Sequence, residues 1–353
     1  MTVQEIAKRA KVSTATVSRT INRIPTVDPI LARRVWNVIE QVGYYPNTHA
    51  RTLVSGRSRI FGLIVPEITN PFFPEIVQTF TELGVKHQYE VLLSFLPQDE
   101  SLLEKAARQM IERRVDGVAI LTFGREDALI DVFTRQNVPV FVVDMKSPEP
   151  LVKSVHIDYE HGIRQAVKHL AALGHLRIAF VSGPEHLKTV VQRKSAFLEC
   201  MREICLPTSP QLLIEGDHTM AAGMTAISAL AALPDRPSAV VCSNDLTAIG
   251  VMRQAFELAL EIPRDLSVVG FDDIRLAQFM TPPLTTVQLS QVEIAEIAFR
   301  ALLDSAEVTS DKSSCYKCTI KTNLVLRRST ALAPGRLRQS GCESQNIGAS
   351  ATP

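Results

Sequence analysis

The residues best equipped for chemistry stand near the start of the chain, in the run VSTATVSRTIN from Val12 to Asn22. It mixes small hydroxyl side chains with Val17 and Ile21, four apart, and carries one arginine. As a helix it would turn Val17 and Ile21 inward and leave Thr14, Ala15, Thr16, Ser18 and Arg19 outward or at the exposed start. Bulk at the start of such a helix would block close approach to a major groove, and these residues have none. Their hydroxyls can bond phosphates or bases, and an arginine can reach guanine O6 and N7 with two bonds. The chemistry this face suits is recognition of a nucleic acid. Other candidates are weaker. Cys315-Tyr-Lys-Cys318 is a C-x-x-C, but zinc would need a second pair at suitable spacing, and none exists. No metal and no cofactor are therefore expected. No G-x-G-x-x-G follows the first strand-like run, and there is no Walker A motif and no Gly-x-Ser-x-Gly elbow. The expectation is a protein that is not an enzyme. His175, in Leu173-Gly174-His175, reads as a structural residue at a helix end.

The elements needed to hold that face are legible around it. Thr2-Val3-Gln4-Glu5 is a capping box, and Ile6, Ala7 and Ala10 share one face of a short helix. Lys11-Val12 makes a tight turn, and Ser13 caps the next helix. Asp28-Pro29 opens a third, with Ile30 or Leu31, then Val35, Val38, Ile39 and Val42 as its buried stripe. Gly43 stands where a helix end wants positive φ. Two short helices joined by a tight turn, with a third closing the core, form a helix-turn-helix. Residues 1–60 carry ten Lys/Arg against three acids, on a body with a slight acidic excess. A compact basic segment of this kind is the footprint of a polyanion partner.

The 353 residues exceed what one core usually holds. There is no apolar run of about 18 residues, so no membrane span is expected. A secretory signal is absent too, which makes a cytoplasmic protein the expectation. From Arg59 onward strand-like runs such as Ile60–Val65, Glu90–Phe95, Val115–Leu121 and Val138–Asp144 alternate with helical stretches. The alternation resumes with strands at Arg177–Ser182, Leu212–Glu215, Ala239–Cys242 and Leu266–Gly270. Repeating β-α units with continuous Val/Ile/Leu strands imply two doubly wound parallel-sheet subdomains. In such sheets a ligand sits beyond the carboxyl ends of the strands.

The N-terminal segment resembles the DNA-binding headpiece of the lactose repressor/galactose repressor (LacI/GalR) family. The matching residues are Ile6–Ala10, Val12–Arg19, Gly43-Tyr44-Tyr45-Pro46-Asn47 and Ala50-Arg51-Thr52-Leu53. Lys11 stands where the family usually has Gly or Asn. The resemblance adds Asn22, Tyr44, Asn47, Arg51 and Leu53 to the DNA-binding set. It makes 47–58 a hinge helix and linker, with Leu53 wedged into the minor groove. The body is similar to the same family's effector-binding core, and hence to periplasmic sugar-binding proteins. Thr69–Pro74, Val115–Val118, Gly174–Ala179, Cys242–Gly250, Gly270–Asp273 and Leu284–Val287 carry that likeness.

The resemblance implies a headpiece over 1–46 and a core over 59–333. The core would hold an N-subdomain of 59–158 and 289–321 and a C-subdomain of 159–288 and 322–333. A tail over 334–353 is expected to be disordered. Three crossings are implied, near 157–160, 287–290 and 320–323, and Ser290 and Ala295 stand where the family commonly has Pro and Gly. The implied cleft residues are Phe72, Asp144, Asp158, Thr189, Arg193, His218, Asn244 and Asp272. Phe72 would stack on a ring face. Arg193 and Asp272, at the mouths of opposite strands, would bond vicinal hydroxyls. Asp144 and Asp158 could equally be strand-end caps. The implied function is a transcription regulator, most often a repressor. It would act as a homodimer or tetramer on a pseudo-palindromic operator, under a small polar effector, a sugar or sugar derivative. The rival reading is a small-molecule binder or enzyme with an incidental basic N-terminus.

Overall fold

The computed structural model describes residues 2–21, 24, 26–44, 57–95, 100–123, 127–145, 150–307 and 319–334, the side chains of 100–103 excepted. Asn22, Asn47, Arg51, Leu53, the C-x-x-C pair and all but the first residue of the tail lie outside them. The chain divides into two compact units, Met1–Arg59 and Ile60–Pro353, each considered by itself.

In the first unit, side chains set each helix end. Helix α1 (Val3–Ala10) opens on the capping box: Thr2 Oγ1 accepts from Glu5 N at 3.3 Å, and Thr2 N donates to Glu5 Oε2 at 2.8 Å. It stops at Lys11, left-handed at φ 52 and ψ 49. That conformation costs a residue with a Cβ about 1 kcal/mol. Ser13 Oγ then accepts from Thr16 N at 3.0 Å and starts α2 (Thr14–Ile21). Asp28 accepts from Ile30 N and Leu31 N at 2.8 and 3.1 Å, ahead of Pro29, to start α3 (Pro29–Val42). Ile6, Ala7, Ala10, Val17, Val35 and Ile39 form the core. Of the two candidates at the start of the stripe, Leu31 is half-buried, whereas Ile30 is 72% exposed. Thr20 is buried as well, because its hydroxyl donates to Thr16 O at 2.8 Å within the helix.

In the second unit, among the described residues, two six-stranded sheets form. The first takes β1 (Ile60–Val65), β2 (Glu90–Phe95), β3 (Gly117–Ile120), β4 (Val140–Val143), β5 (Val152–Asp158) and β11 (Thr319–Lys321), in the order β11-β5-β4-β3-β1-β2. The second takes β6 (Ile178–Val181), β7 (Leu213–Ile214), β8 (Ala239–Cys242), β9 (Ser267–Asp272), β10 (Thr285–Gln288) and β12 (Asn323–Val325), in the order β12-β10-β9-β8-β6-β7. All pairings are parallel except β10 with β12. Central strands such as VFVV and AVVC are fully buried, as a parallel sheet covered on both faces requires. The helices are α4 (Phe72–His87), α5 (Glu100–Glu112), α6 (Asp127–Thr134), α7 (Tyr159–Ala172), α8 (Lys188–Glu203), α9 (Met220–Ala231), α10 (Asp245–Glu257) and α11 (Gln291–Ala306). No helix of the described residues is long and apolar enough to cross a membrane.

The chain passes between the sheets after β5, after β10 and between β11 and β12. Hydrogen bonds tie the first and third passages together. Thr322 Oγ1 donates to Asp158 O at 2.7 Å and accepts from Gly162 N at 3.0 Å. At the second passage Ser290 Oγ accepts from Glu293 N at 3.2 Å and caps α11, and Ala295 is buried in that helix. His175 is fully buried, with Nε2 donating to Ala331 O at 3.0 Å and Nδ1 on Ser238 Oγ at 2.8 Å. It anchors the returning C-terminal segment.

Helices α9 and α10 approach almost backbone to backbone. A Cβ on Gly223 would lie 2.1 Å from Thr247 O, and one on Gly250 2.0 Å from Met220 O. Alanine would favour each helix by roughly 1 kcal/mol. Forcing a methyl against fixed backbone costs about 1–3 kcal/mol or more, so the clash wins. Gly250→Ala is expected to lower stability by about 2 kcal/mol, read as a lower urea midpoint; an unchanged midpoint would mean the two helices separate freely.

Candidate functional site

The first candidate is the outer face of α2. Thr14, Ala15, Ser18 and Arg19 are exposed and Thr16 is half-buried, while Val17 and Thr20 turn into the core. Thr16 Oγ1 lies 2.9 Å from Ser13 Oγ, so part of its capacity serves the cap. Lys8, Arg9 and Lys11 are exposed in the same unit. Arg34 donates to Ala10 O at 2.6 Å and helps to fix the turn. Tyr44 is half-buried against the helical core.

The second is a cavity of about 220 Å³ between the carboxyl ends of the two sheets. It gathers Phe72, Thr189, Arg193, His218, Asn244 and Asp272 of the sequence-derived set. Phe72, at the start of α4, meets Phe73 and Phe123 edge-on at 5.3 and 5.6 Å. Arg193 lies on α8, not at a strand mouth as expected. Its Nε donates to Thr189 O at 3.2 Å, Nη2 to Thr189 Oγ1 at 3.4 Å, and Nη1 to Ser243 O. The guanidinium also lies over the rings of Phe271 and Tyr159, at 4.6 and 5.4 Å.

Asp272 closes β9. It is 7% exposed and holds a φ of 111, a left-handed backbone strained for a residue with a Cβ. Its carboxylate accepts no hydrogen bond among the described residues, while its backbone oxygen accepts from Gln291 Nε2 at 3.0 Å. Burial pushes the carboxyl up to about 7, against the pull of Arg193. Asn244 caps α10, accepting from Thr247 N at 3.0 Å, and donates Nδ2 to His218 O at 3.0 Å. His218 has positive φ and fits only because residue 183 is glycine; a Cβ there would stand 2.0 Å from its Nε2. Burial, then Arg193, pulls the imidazole down to about 3, so it is neutral at physiological pH. Two weak links join the halves of the cleft: Thr189 Oγ1 to Phe123 O at 3.5 Å, and Lys188 to Asp127 at 3.4 Å.

Two expected cleft residues do not line the cavity, and this corrects the sequence reading. Asp158 is half-buried and caps α7, accepting from His161 N at 3.0 Å. Asp144 accepts from Ile157 N at 2.7 Å and His156 Nδ1 at 3.0 Å, holding the first passage between the sheets. Both carboxylates are used where a chain end or bend leaves N–H groups without partners. Other lining residues escaped the sequence analysis, among them Phe73, Thr122, Phe123, Tyr159 and Leu289. Phe73 adjoins Phe72 and could have been found by that repetition; nothing in the sequence marks Thr122. Asp245 was also missed. It is wholly buried, with Oδ2 accepting from Ile274 N at 2.8 Å and Oδ1 from Thr286 Oγ1 at 2.5 Å, so it fixes the loop after Asp272. A second cavity, of about 350 Å³ between β2 and α5, collects none of the sequence-derived residues.

The raised carboxyl of Asp272 sets a sign. The folded chain binds that proton more tightly than the unfolded chain, so stability falls as pH rises from the usual carboxylate range to about 7. Asp272→Asn removes the cost. It is expected to stabilise the core by on the order of 2–4 kcal/mol at pH 8 and by little at pH 4. Thermal melts of both proteins across that range test this, and an equal difference at both ends would refute it.

Comparison with known proteins comes from three directions. Residues 2–47 match the model for bacterial regulatory proteins of the lacI family, and 167–330 match that for a periplasmic binding protein-like domain. The HTH-type transcriptional repressor CytR of Escherichia coli (strain K12) is 34% identical over 94% of this chain and 97% of its own length. Catabolite control protein A of Priestia megaterium is 32% identical over 86% of this chain and 91% of its own. Among solved structures, the lac repressor dimer bound to operator and the anti-inducer ONPF superposes with a TM-score of 0.83. It is 26% identical and covers 94% of this chain and 99% of its own. The transcriptional regulator CelR–cellobiose complex superposes with a TM-score of 0.70 at 27% identity, covering 93% and 99%.

Proposed function

This chain belongs to the lacI family of bacterial regulatory proteins, and from that premise we propose that it is a transcription repressor switched by a small polar metabolite. Two copies bind a pseudo-palindromic operator, because the two-fold symmetry of a dimer is mirrored in the DNA. Phe256 and Phe279 favour self-association: both are exposed, at 74% and 69%, a cost that a second copy removes. In each copy Thr14, Ala15, Thr16, Ser18 and Arg19 face the major groove. Asn22, Tyr44, Asn47 and Arg51 hold sugar and phosphate, and Leu53, in the hinge and linker over 47–58, wedges the minor groove. The effector sits in the core, 59–333, against Phe72, Thr189, Arg193, His218, Asn244 and Asp272. The site carries no set of groups for bond-breaking chemistry, and we assign it binding alone. A repressor of bacterial genes works on DNA in the cytoplasm, which is where this reading puts it.

The observation that carries the proposal is one chain joining two things. One is a helix-turn-helix with an exposed hydroxyl-and-arginine face; the other is a two-sheet cleft holding a buried, unbonded carboxylate. The test is selection of the purified full-length protein on a random DNA pool. A palindromic consensus, with affinity falling steeply as salt rises, is expected. Failure to enrich any sequence, with and without pooled metabolites, would return the chain to the class of plain binding proteins. In the same selection Arg19→Ala should relax one base position per half-site by about 1–3 kcal/mol. An unchanged consensus would remove Arg19 from the groove.

Effector control has a separate test. Asp272→Ala should keep operator affinity while abolishing the change in that affinity caused by metabolite. A normal response in the titration would take Asp272 out of the pocket.

A further inference from the structure

We propose that the cleft is built for an uncharged, hydroxyl-bearing metabolite and rejects anions, including phosphate esters of that same metabolite. This rests on the effector-cleft reading and narrows it. The lining of the cavity carries three carboxylates, Asp272 within and Glu67 and Asp217 at the exposed rim. Asp217 stays ionised, because the Thr219 hydroxyl and N–H both donate to it. Among the described lining residues Arg193 is the only Lys or Arg. Three of its five N–H groups already donate, to Thr189 O, Thr189 Oγ1 and Ser243 O, and two rings lie over its face. It is 7% exposed, so this single buried cation stands against three carboxyl groups in the lining. Of the two histidines in the lining, burial keeps His218 neutral, and His186 is exposed at the rim.

Helix N-termini are the other source of anion binding, and at three of those near this cavity a side-chain acceptor already stands. One first-turn N–H of each of α4, α7 and α10 is taken, by Asn70, Asp158 and Asn244. Helix α8 has no side-chain cap, but its leading cation, Lys188, is paired with Asp127. Beside the Tyr159 hydroxyl and His218 Nε2, both buried without a partner, the site offers an acceptor without a donor, the Asp272 carboxyl group. A ligand hydroxyl can donate to it. A fully ionised phosphate has no proton to donate, and above about pH 7, where Asp272 is ionised, it brings like charge beside a buried carboxylate, which disfavours binding.

Matched pairs test the idea on the full-length protein: ribose with ribose 5-phosphate, glucose with glucose 6-phosphate, adenosine with AMP. A deproteinised cell extract, split on an anion-exchange resin into flow-through and retained fractions, runs beside them. The readouts are melting temperature and operator affinity. The expected result is that an uncharged compound, or the flow-through, acts, and that any matching ester binds at least about tenfold more weakly. An ester binding as tightly as its parent, or activity only in the retained fraction, would overturn the proposal. Asp272→Asn should narrow the ester discrimination several-fold, and an unchanged ratio would overturn the role given to that carboxylate. If neither fraction acts on the wild-type protein, the effector reading itself falls, and this inference falls with it.

Discussion

The cleft depends on how the chain is held where it passes between the two sheets. Three passages lie close together: hydrogen bonds join the first to the third, and the second is bonded to the end of β9. Thr322 bonds Asp158 O and Gly162 N, and Gln291 bonds the backbone oxygen of Asp272. Gly162 allows this packing, since a Cβ there would stand 2.3 Å from Val287 Cγ1 and 2.6 Å from Thr322 Oγ1. The same peptide that carries the Asp272 carboxylate into the cavity is therefore bonded to the second passage. A ligand that moves that carboxylate acts directly on the connection between the halves.

The site is costly to the fold. Asp272 combines burial, positive φ and an unbonded carboxylate, and Asp245 is a second buried carboxyl, pushed up by its own burial and then by Asp272. Each of these burials works against stability, and a sequence selected for stability alone would lack them. The core can bear the cost because its strands are buried on both faces and its aromatic side chains interlock, as Phe61, Tyr89 and Phe299 do. Local strain collected at one strand end is what a binding site held by a rigid scaffold looks like.

Legibility followed local chemistry. The helical unit could be read almost completely, because its ends are set by residues adjacent in sequence: Thr2 with Glu5, Ser13 with Thr16, Asp28 before Pro29. Strands such as Ile60–Val65 and Ala239–Cys242 were read to their limits, since burial on both faces leaves an unbroken apolar run, and Glu90–Phe95, half-buried at the sheet edge, was legible from its Val-Leu-Leu run. The strand Val152–Asp158 was missed because Lys153, Ser154 and His156 interrupt it near the edge of its sheet. The short edge strands Thr319–Lys321 and Asn323–Val325 have too few residues to show a pattern. Helix α11 does have an amphipathic stripe, Ile294, Ala298 and Leu302, and that signal went unused. For the cleft, the family resemblance pointed to Arg193, Asn244 and Asp272, and residue type gave each a chemistry. It could not separate a carboxylate facing a cavity from one capping a helix, as Asp144 and Asp158 show. That distinction depends on which N–H groups lie nearby, and distant segments bring them there.

One Arg and a few hydroxyls per helix give limited discrimination, about 1–3 kcal/mol for a good bidentate contact. A control signal of similar size is then enough to change occupancy of a site, since allosteric coupling is typically about 1–3 kcal/mol. A ligand can shift an equilibrium only by the difference in its affinity for the two states. On the proposed reading, a ligand that bonds Asp272 on one side of the cleft while packing on Phe72 across it would supply such a difference. The links that join those sides otherwise, Lys188 to Asp127 and Thr189 to Phe123, are long or solvent-exposed. Exposed ion pairs contribute roughly 0–1 kcal/mol. One buried charge-assisted bond would outweigh them, so on the proposed reading the ligand, and not the protein's own surface contacts, would decide which arrangement prevails.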